Sequence, residues 1–396
     1  MAHWLASVGK SATHRNNLHY FASLTLRLGN FRTTFTPRLH QHVTLAPYAA
    51  PNVVFNHGLG PRNRPIDPLA GNNTTGGGTP AGVKFSLLGG SGSMAFFLAV
   101  ANRKGGVGKS TVAVMLAHAL SVYGGKRVLV LDLDSQCNAS LILMGGHGWN
   151  EARKDGKTIS DYFYDLFDGI PANAREYVAR NVGDVHWAGN KPATVSLVPC
   201  SLLLEDIQGE LYLKQANQSH IPDVVANRVR GRIESLIRRF EGDFDVVILD
   251  CPPGLSFAAL AALKTADKVI VPFRPDYVSQ LAVDRIALLI EDKRNLDDLM
   301  EIPMAERRYT CLANYVRDDN RDYMLIEEIG LVHPLLDTFL PQREGIANAF
   351  DFISERRSID AKYGDAIGDV KELHGEIQKF LENAAKSAQK DKIAAQ

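Results

Sequence analysis

The stretch ANRKGGVGKST, residues 101–111, carries two lysines five positions apart around three glycines. An apolar run, FFLAVAN from Phe96, leads into it. TVAVMLAHALSVYGG follows from Thr111, repeating apolar residues at three and four and stopping on paired glycines. The order is strand, turn, helix. Gly105, Gly106 and Gly108 let the turn take positive φ, so the backbone N–H groups from Gly105 through Val107 to Thr111 face inward. The helix beginning near Ser110 adds the positive end of its dipole, which makes an anion cradle.

The common phosphate loop reads G-x-x-x-x-G-K-[ST]. Gly108, Lys109 and Ser110 fit its end, while Arg103 stands where the first glycine belongs. Lys109 is expected to reach β- and γ-phosphates, Ser110 to ligand Mg²⁺, and Thr111 to donate to the α-phosphate. Lys104 is surplus to that pattern. Turned into its own loop it repels Lys109; turned away, it meets the phosphates of a second subunit.

With both lysines, KGGVGKST resembles the deviant phosphate loop of the ParA/MinD family of P-loop ATPases, closest to the ParA-like (Soj-like) partitioning branch. The resemblance implies that Lys104 crosses an ATP-sandwich homodimer and, with Lys109 and Asp134, serves hydrolysis. RVLVLDLDSQCNAS is similar to the family's DLDPQGN element, with Ser135 in place of Pro and Cys137 in place of Gly. By that likeness Asp132 lies near the hydrated Mg²⁺ and Asp134 orients the attacking water; the plain alternative for Asp134 is a helix cap. FDVVILDCPPG places Asp250 at a strand end, where a carboxylate holds Mg²⁺ through water, before an irregular turn of Pro252, Pro253 and Gly254. ADKVIVPFRPDYVS continues the likeness. Asn314 corresponds to an adenine-binding asparagine, and Pro341 to a proline of the adenine-side loop. The cofactors implied are ATP and Mg²⁺.

The chain of 396 residues is 45% hydrophobic and 22% charged, with 44 basic and 44 acidic residues. That balance hides two unlike parts. Residues 1–93 hold eight Lys/Arg and one acid, Asp67, and are rich in Gly, Asn and Thr. They are expected to be a disordered, low-complexity extension, whether inert, targeting or DNA-touching. From Met94, short β-branched runs alternate with amphipathic ones, the pattern of an α/β P-loop NTPase: a mostly parallel twisted sheet with helices on both faces. Strands are expected at Phe96–Asn102, Arg127–Leu131, Val195–Val198, Val246–Leu249, Val269–Val271, Tyr309–Ala313 and near Phe339. The ATPase domain is expected over residues 94–382, with a flexible tail over 383–396. The acidic segment from Asn150 to Asp184 reads as a lid or a partner surface.

Four dispersed cysteines exclude a zinc, iron–sulfur or disulfide framework, and no run of about eighteen apolar residues suggests a membrane span. Cytoplasmic location follows, nucleoid-associated where DNA is the cargo. Val370, Leu373, Ile377, Phe380 and Leu381 at helical spacing dock the last helix on the core, unlike a MinD-type membrane anchor, so no stable membrane association is expected. Two functions remain. One is a partition ATPase that dimerises on Mg·ATP, binds DNA nonspecifically through Arg317, Arg321 or Arg343, and is reset when a ParB-like protein stimulates slow hydrolysis. The other is a relative that positions a protein complex, of the cellulose-secretion or flagellar-placement kind, without DNA.

Overall fold

The computed structural model describes residues 94–186, 192–219 and 221–394, so the expectations for residues 1–93 lie outside the described residues. Seven strands make one parallel sheet: β1 (Phe96–Val100), β2 (Val128–Asp132), β4 (Val195–Val198), β5 (Val246–Asp250), β6 (Lys268–Phe273), β7 (Tyr309–Val316) and β8 (Leu340–Pro341), in the order β4-β2-β5-β1-β6-β7-β8. β3 (Val185–His186) and β9 (Arg357–Ser358) pair in parallel as a separate two-stranded ribbon that the sequence pattern did not reveal. Two-residue strands carry no period.

The central strands are buried on both faces, which is why they read as continuous apolar runs and not as alternation. One face is covered by α1 (Lys109–Val122), α2 (Asn138–Lys154), α11 (Ile359–Tyr363) and α12 (Ile367–Ala394). The other is covered by α3 (Ile159–Phe167), α4 (Leu204–Ala216), α5 (Pro222–Arg238), α6 (Phe257–Thr265), α7 (Tyr277–Ile290), α8 (Leu296–Met300) and α9 (Asn320–Gly330). The short α10 (Glu344–Asn348) follows β8.

α12 buries Val370, Leu373, Ile377 and Leu381, as expected, and then continues to Ala394, so residues 383–394, where a flexible tail was expected, are helical. The acidic segment from Asn150 to Asp184 sends Ile159, Phe163, Ala174 and Tyr177 into the core. Among the described residues no helix is long and apolar enough to cross a membrane.

α1 is buried on nearly every side because α2 and α12 flank it against the sheet. Its one imidazole, His118, is fully buried and bonds the Tyr363 hydroxyl through Nδ1 at 3.0 Å. Burial, and then the Lys362 charge, pull its pKa down to about 3. The unfolded chain therefore binds a proton below about 6.5 that the folded chain refuses. Between pH 6.5 and 3, folding stability falls as pH falls, by up to about 1.4 kcal/mol per unit from this group. Urea unfolding at pH 7 and pH 5 should show a smaller acid loss in His118→Asn than in the native chain. An identical loss in both would refute this assignment.

Candidate functional site

The C-terminal ends of parallel strands are where an open α/β sheet holds its ligands, and every chemistry-bearing motif of the sequence collects there. After β1, the Asn102 side chain fixes the loop at both ends: Nδ2 donates to the Pro272 carbonyl at 2.8 Å, and Oδ1 accepts from Lys104 N at 3.0 Å. The turn then reverses through Gly106 at φ 71 and Gly108 at φ 88, which N-caps α1. Gly108 has a second reason to be glycine. A Cβ there would meet Asn314 Nδ2 at 2.2 Å, because that amide donates to the Val107 carbonyl at 2.8 Å.

A cleft of about 620 Å³ opens above this turn. Gly105, Gly106, Gly108, Lys109, Ser110, Thr111, Asp134, Asn314 and Pro341, all expected from sequence, line it. Val107 instead packs its side chain into the interior, fully buried. Gln136, Asn138, Arg274, Tyr315 and Arg343 also line the cleft, and none of these had been assigned to the nucleotide from sequence.

Asp132 and Asp250 are register partners on β2 and β5, and Val100 of β1 pairs with Asp250, so both carboxylates emerge beside the loop. Asp132 is committed: Oδ2 accepts from Ser140 N at 2.8 Å and Ser140 Oγ at 2.6 Å, and Oδ1 accepts from Asp134 N at 3.2 Å. Burial raises its pKa to about 6 against those bonds. It ties the start of α2 to the loop that carries Asp134. Asp134 is itself buried, and Oδ1 accepts from Gln136 N at 3.0 Å. It does not cap α2. Cys137 holds that position at φ 58, the left-handed region that favours glycine.

Asp250 is fully buried and neither carboxylate oxygen has a well-formed hydrogen bond. Burial and then the Asp132 charge push it well above the carboxylate range, with the Ser110 hydroxyl and the Lys109 ammonium working the other way. Burial lowers Lys109, opposed by Asp250 and Asp134. Two unpartnered oxygens beside a hydroxyl, at the mouth of an anion loop, have the donor chemistry of a Mg²⁺ site.

Lys104 does not line the cleft. Its ammonium pairs with Asp276, which N-caps α7, and lies 3.3 Å from Ser279 Oγ. Asp276 lay inside the stretch ADKVIVPFRPDYVS without being picked out. Of the arginines expected at DNA, Arg317 bonds Asp322 at 2.7 Å, Arg343 bonds Asp369 at 2.7 Å, and Arg321 stacks on Tyr277 at 5.1 Å.

A phosphate loop on β1, a strand-end carboxylate on β5 and a carboxylate-bearing loop after β2 define a P-loop nucleotide-binding protein. Residues 96–301, just over half of the chain, match the model of a family described as an AAA domain. The chain is 31% identical over 227 residues to the chromosome partitioning protein ParA of Caulobacter vibrioides, covering 56% of this chain and 74% of the relative. It is 28% identical over 212 residues to the sporulation initiation inhibitor Soj of Bacillus subtilis, covering 52% and 71%. An uncharacterized Pseudomonas putida protein is 27% identical over 303 residues, covering 75% and 99%. Among solved structures, an ATP complex of Cyanothece McdA superposes with TM-score 0.50 at 16% identity over 74% of this chain and 98% of that one. The septum site-determining protein MinD of Pyrococcus horikoshii, with Mg-ADP, gives 0.50 at 19% over 72% and 97%. These two likenesses are of fold. The chain belongs to the ParA/MinD family of P-loop ATPases.

The Gly108–Asn314 contact yields a direct test. Gly108→Ala must displace the Asn314 amide or break the left-handed turn, so ADP affinity, measured by calorimetry, should fall at least tenfold. Unchanged affinity would show that the contact does not shape the loop.

Proposed function

We propose that residues 94–382 form an ATPase that dimerises on Mg·ATP, binds DNA nonspecifically and is reset by partner-stimulated hydrolysis, as a partition switch. The observation that carries this reading is the placement of Lys104: outside its own cleft, on Asp276, at a face where Tyr277, Val278 and Leu281 are exposed on the first turns of α7. A second copy set against that face gives those apolar groups cover and gives Lys104 a phosphate in trans.

In this reading Lys109 holds the β- and γ-phosphate oxygens, Gly105 to Thr111 supply backbone donors, and Pro341 with Asn314 borders the base. Ser110 and Asp250 hold Mg²⁺, with Asp132 behind them, and the ion would neutralise charge on the phosphates. Asp134 orients the water that attacks the γ-phosphorus, while Lys104 of the opposing copy stabilises charge on the oxygens of the leaving diphosphate. The loop through Pro252 and Pro253 lies beside that group and changes shape with hydrolysis.

Relatives named for chromosome partitioning support DNA as cargo, and the stimulating partner of this reading is a ParB-like protein. Because Arg317 and Arg343 are paired within the chain, the exposed Arg228 and Arg232 of α5, with Arg239 at its C-cap, are better placed to meet phosphates. The same pairing favours the second reading, a protein-positioning ATPase without DNA.

Sedimentation of the chain with Mg·ATP and duplex DNA separates them, using Asp134→Ala to hold the ATP state. The partition reading expects a DNA-bound dimer that Lys104→Gln abolishes without loss of ATP binding, and DNA release as salt rises. Dimers that ignore DNA support protein positioning; a Lys104→Gln chain that dimerises normally overturns the role in trans given to Lys104.

A further inference from the structure

β7 contains a break in its ladder that the nucleotide cleft does not by itself require. Asn314 pairs with Leu340 and Val316 with Pro341, so Tyr315 is an extra residue between them, a β-bulge. Its φ is 63, the left-handed region, which a tyrosine enters only under backbone strain. The bulge turns this one ring out of a strand whose other residues are buried. Arg274, the first residue beyond β6, lays its guanidinium over that ring, 4.2 Å from the centroid. Both side chains line the cleft. Arg274 is exposed, and among the described residues no carboxylate pairs with it.

The strand order fixes where this cation stands along a bound nucleotide. The phosphate loop follows β1, Arg274 follows β6, Asn314 and Tyr315 end β7, and Pro341 lies in β8, with β1, β6, β7 and β8 consecutive in the sheet. Phe273 and Ala313 are register partners, so Arg274 and Asn314 leave the sheet at one level. A nucleotide that runs from the β1 loop to the β8 edge crosses β6 between its phosphates and its base. A planar guanidinium held flat on an aromatic ring keeps its N–H edge free, and that edge matches two phosphate oxygens.

We propose that Arg274, positioned by the bulged Tyr315, binds the α-phosphate of the nucleotide held in its own subunit. This rests on the reading of the cleft as a nucleotide site. The α-phosphate is common to AMP, ADP and ATP and absent from adenosine, so the contact has a signature that a merely structural role would not produce.

The test measures Kd for ADP, AMP and adenosine by calorimetry, with Mg²⁺ present, on the full chain and on Arg274→Ala, Arg274→Lys and Tyr315→Ala. ADP and AMP affinity should fall about tenfold to hundredfold in Arg274→Ala, as for a lost hydrogen bond to a charged group, with adenosine affinity unchanged. Arg274→Lys should recover part of the loss, and Tyr315→Ala should show a smaller loss in the same pattern. The thermal midpoint of the nucleotide-free chain should not move in Arg274→Ala, which separates a lost contact from a damaged fold. Unchanged ADP affinity in Arg274→Ala, with ATP-dependent dimerisation lost, would overturn the proposal and assign the arginine to the partner. An equal loss for adenosine would overturn it too, placing Arg274 at the base or ribose. If the native chain binds no ADP, the nucleotide reading itself falls.

Discussion

Asp250 sits fully buried with neither carboxylate oxygen in a well-formed hydrogen bond, beside two further buried carboxylates and one buried ammonium. Leaving such a group unpartnered costs at least about 1–3 kcal/mol, and more when it is ionised. The parallel sheet is what imposes this. β2 and β5 end in register, so Asp132 and Asp250 are brought out side by side, and β1 delivers the phosphate loop next to them. Asp132 is relieved by Ser140 and the Asp134 amide, while Asp250 has only the Ser110 hydroxyl and Lys109 to favour its charge. On the reading proposed above, a divalent cation held by Ser110 and Asp250 would supply the partner that the chain itself does not.

The sheet and the phosphate loop were legible because their signals are local. A parallel strand covered on both faces is a run of apolar residues; Val195–Val198 was read to the residue. A glycine turn between such a strand and a helix has few other meanings. The remaining features depend on partners far away in sequence. Asp276 lies 172 positions from Lys104, and the sequence gives a cap residue no mark that distinguishes it from a lysine partner as well. Tyr315 lies two residues past the expected end of its strand at Ala313, and only the register with β8 exposes the bulge. The Cys137 substitution was visible, but its meaning, a non-glycine at φ 58, needed the backbone.

Asn314 shows how a residue can be found for one reason and kept for another. The likeness to relatives pointed to adenine, whereas the side-chain amide donates to the Val107 carbonyl inside the phosphate loop. On the reading proposed above, its carbonyl oxygen is the group left to meet the base. Gly108 is small because the amide must pass it.

The Lys104–Asp276 pair is informative through its weakness. Its side chains are 28% and 39% exposed, and ion pairs at that exposure contribute about 0–1 kcal/mol. Asp276 does not depend on the lysine, because it also accepts from Val278 N at 3.0 Å and Ser279 N at 2.9 Å. Removing Lys104 thus leaves the carboxylate satisfied and α7 capped. A buried pair such as Lys362 with Asp184 would hold its lysine against any competitor, since parting leaves a stranded charge. On the reading proposed above, Lys104 needs the opposite property: a resting partner that keeps it out of its own cleft and releases it when a more negative group is offered.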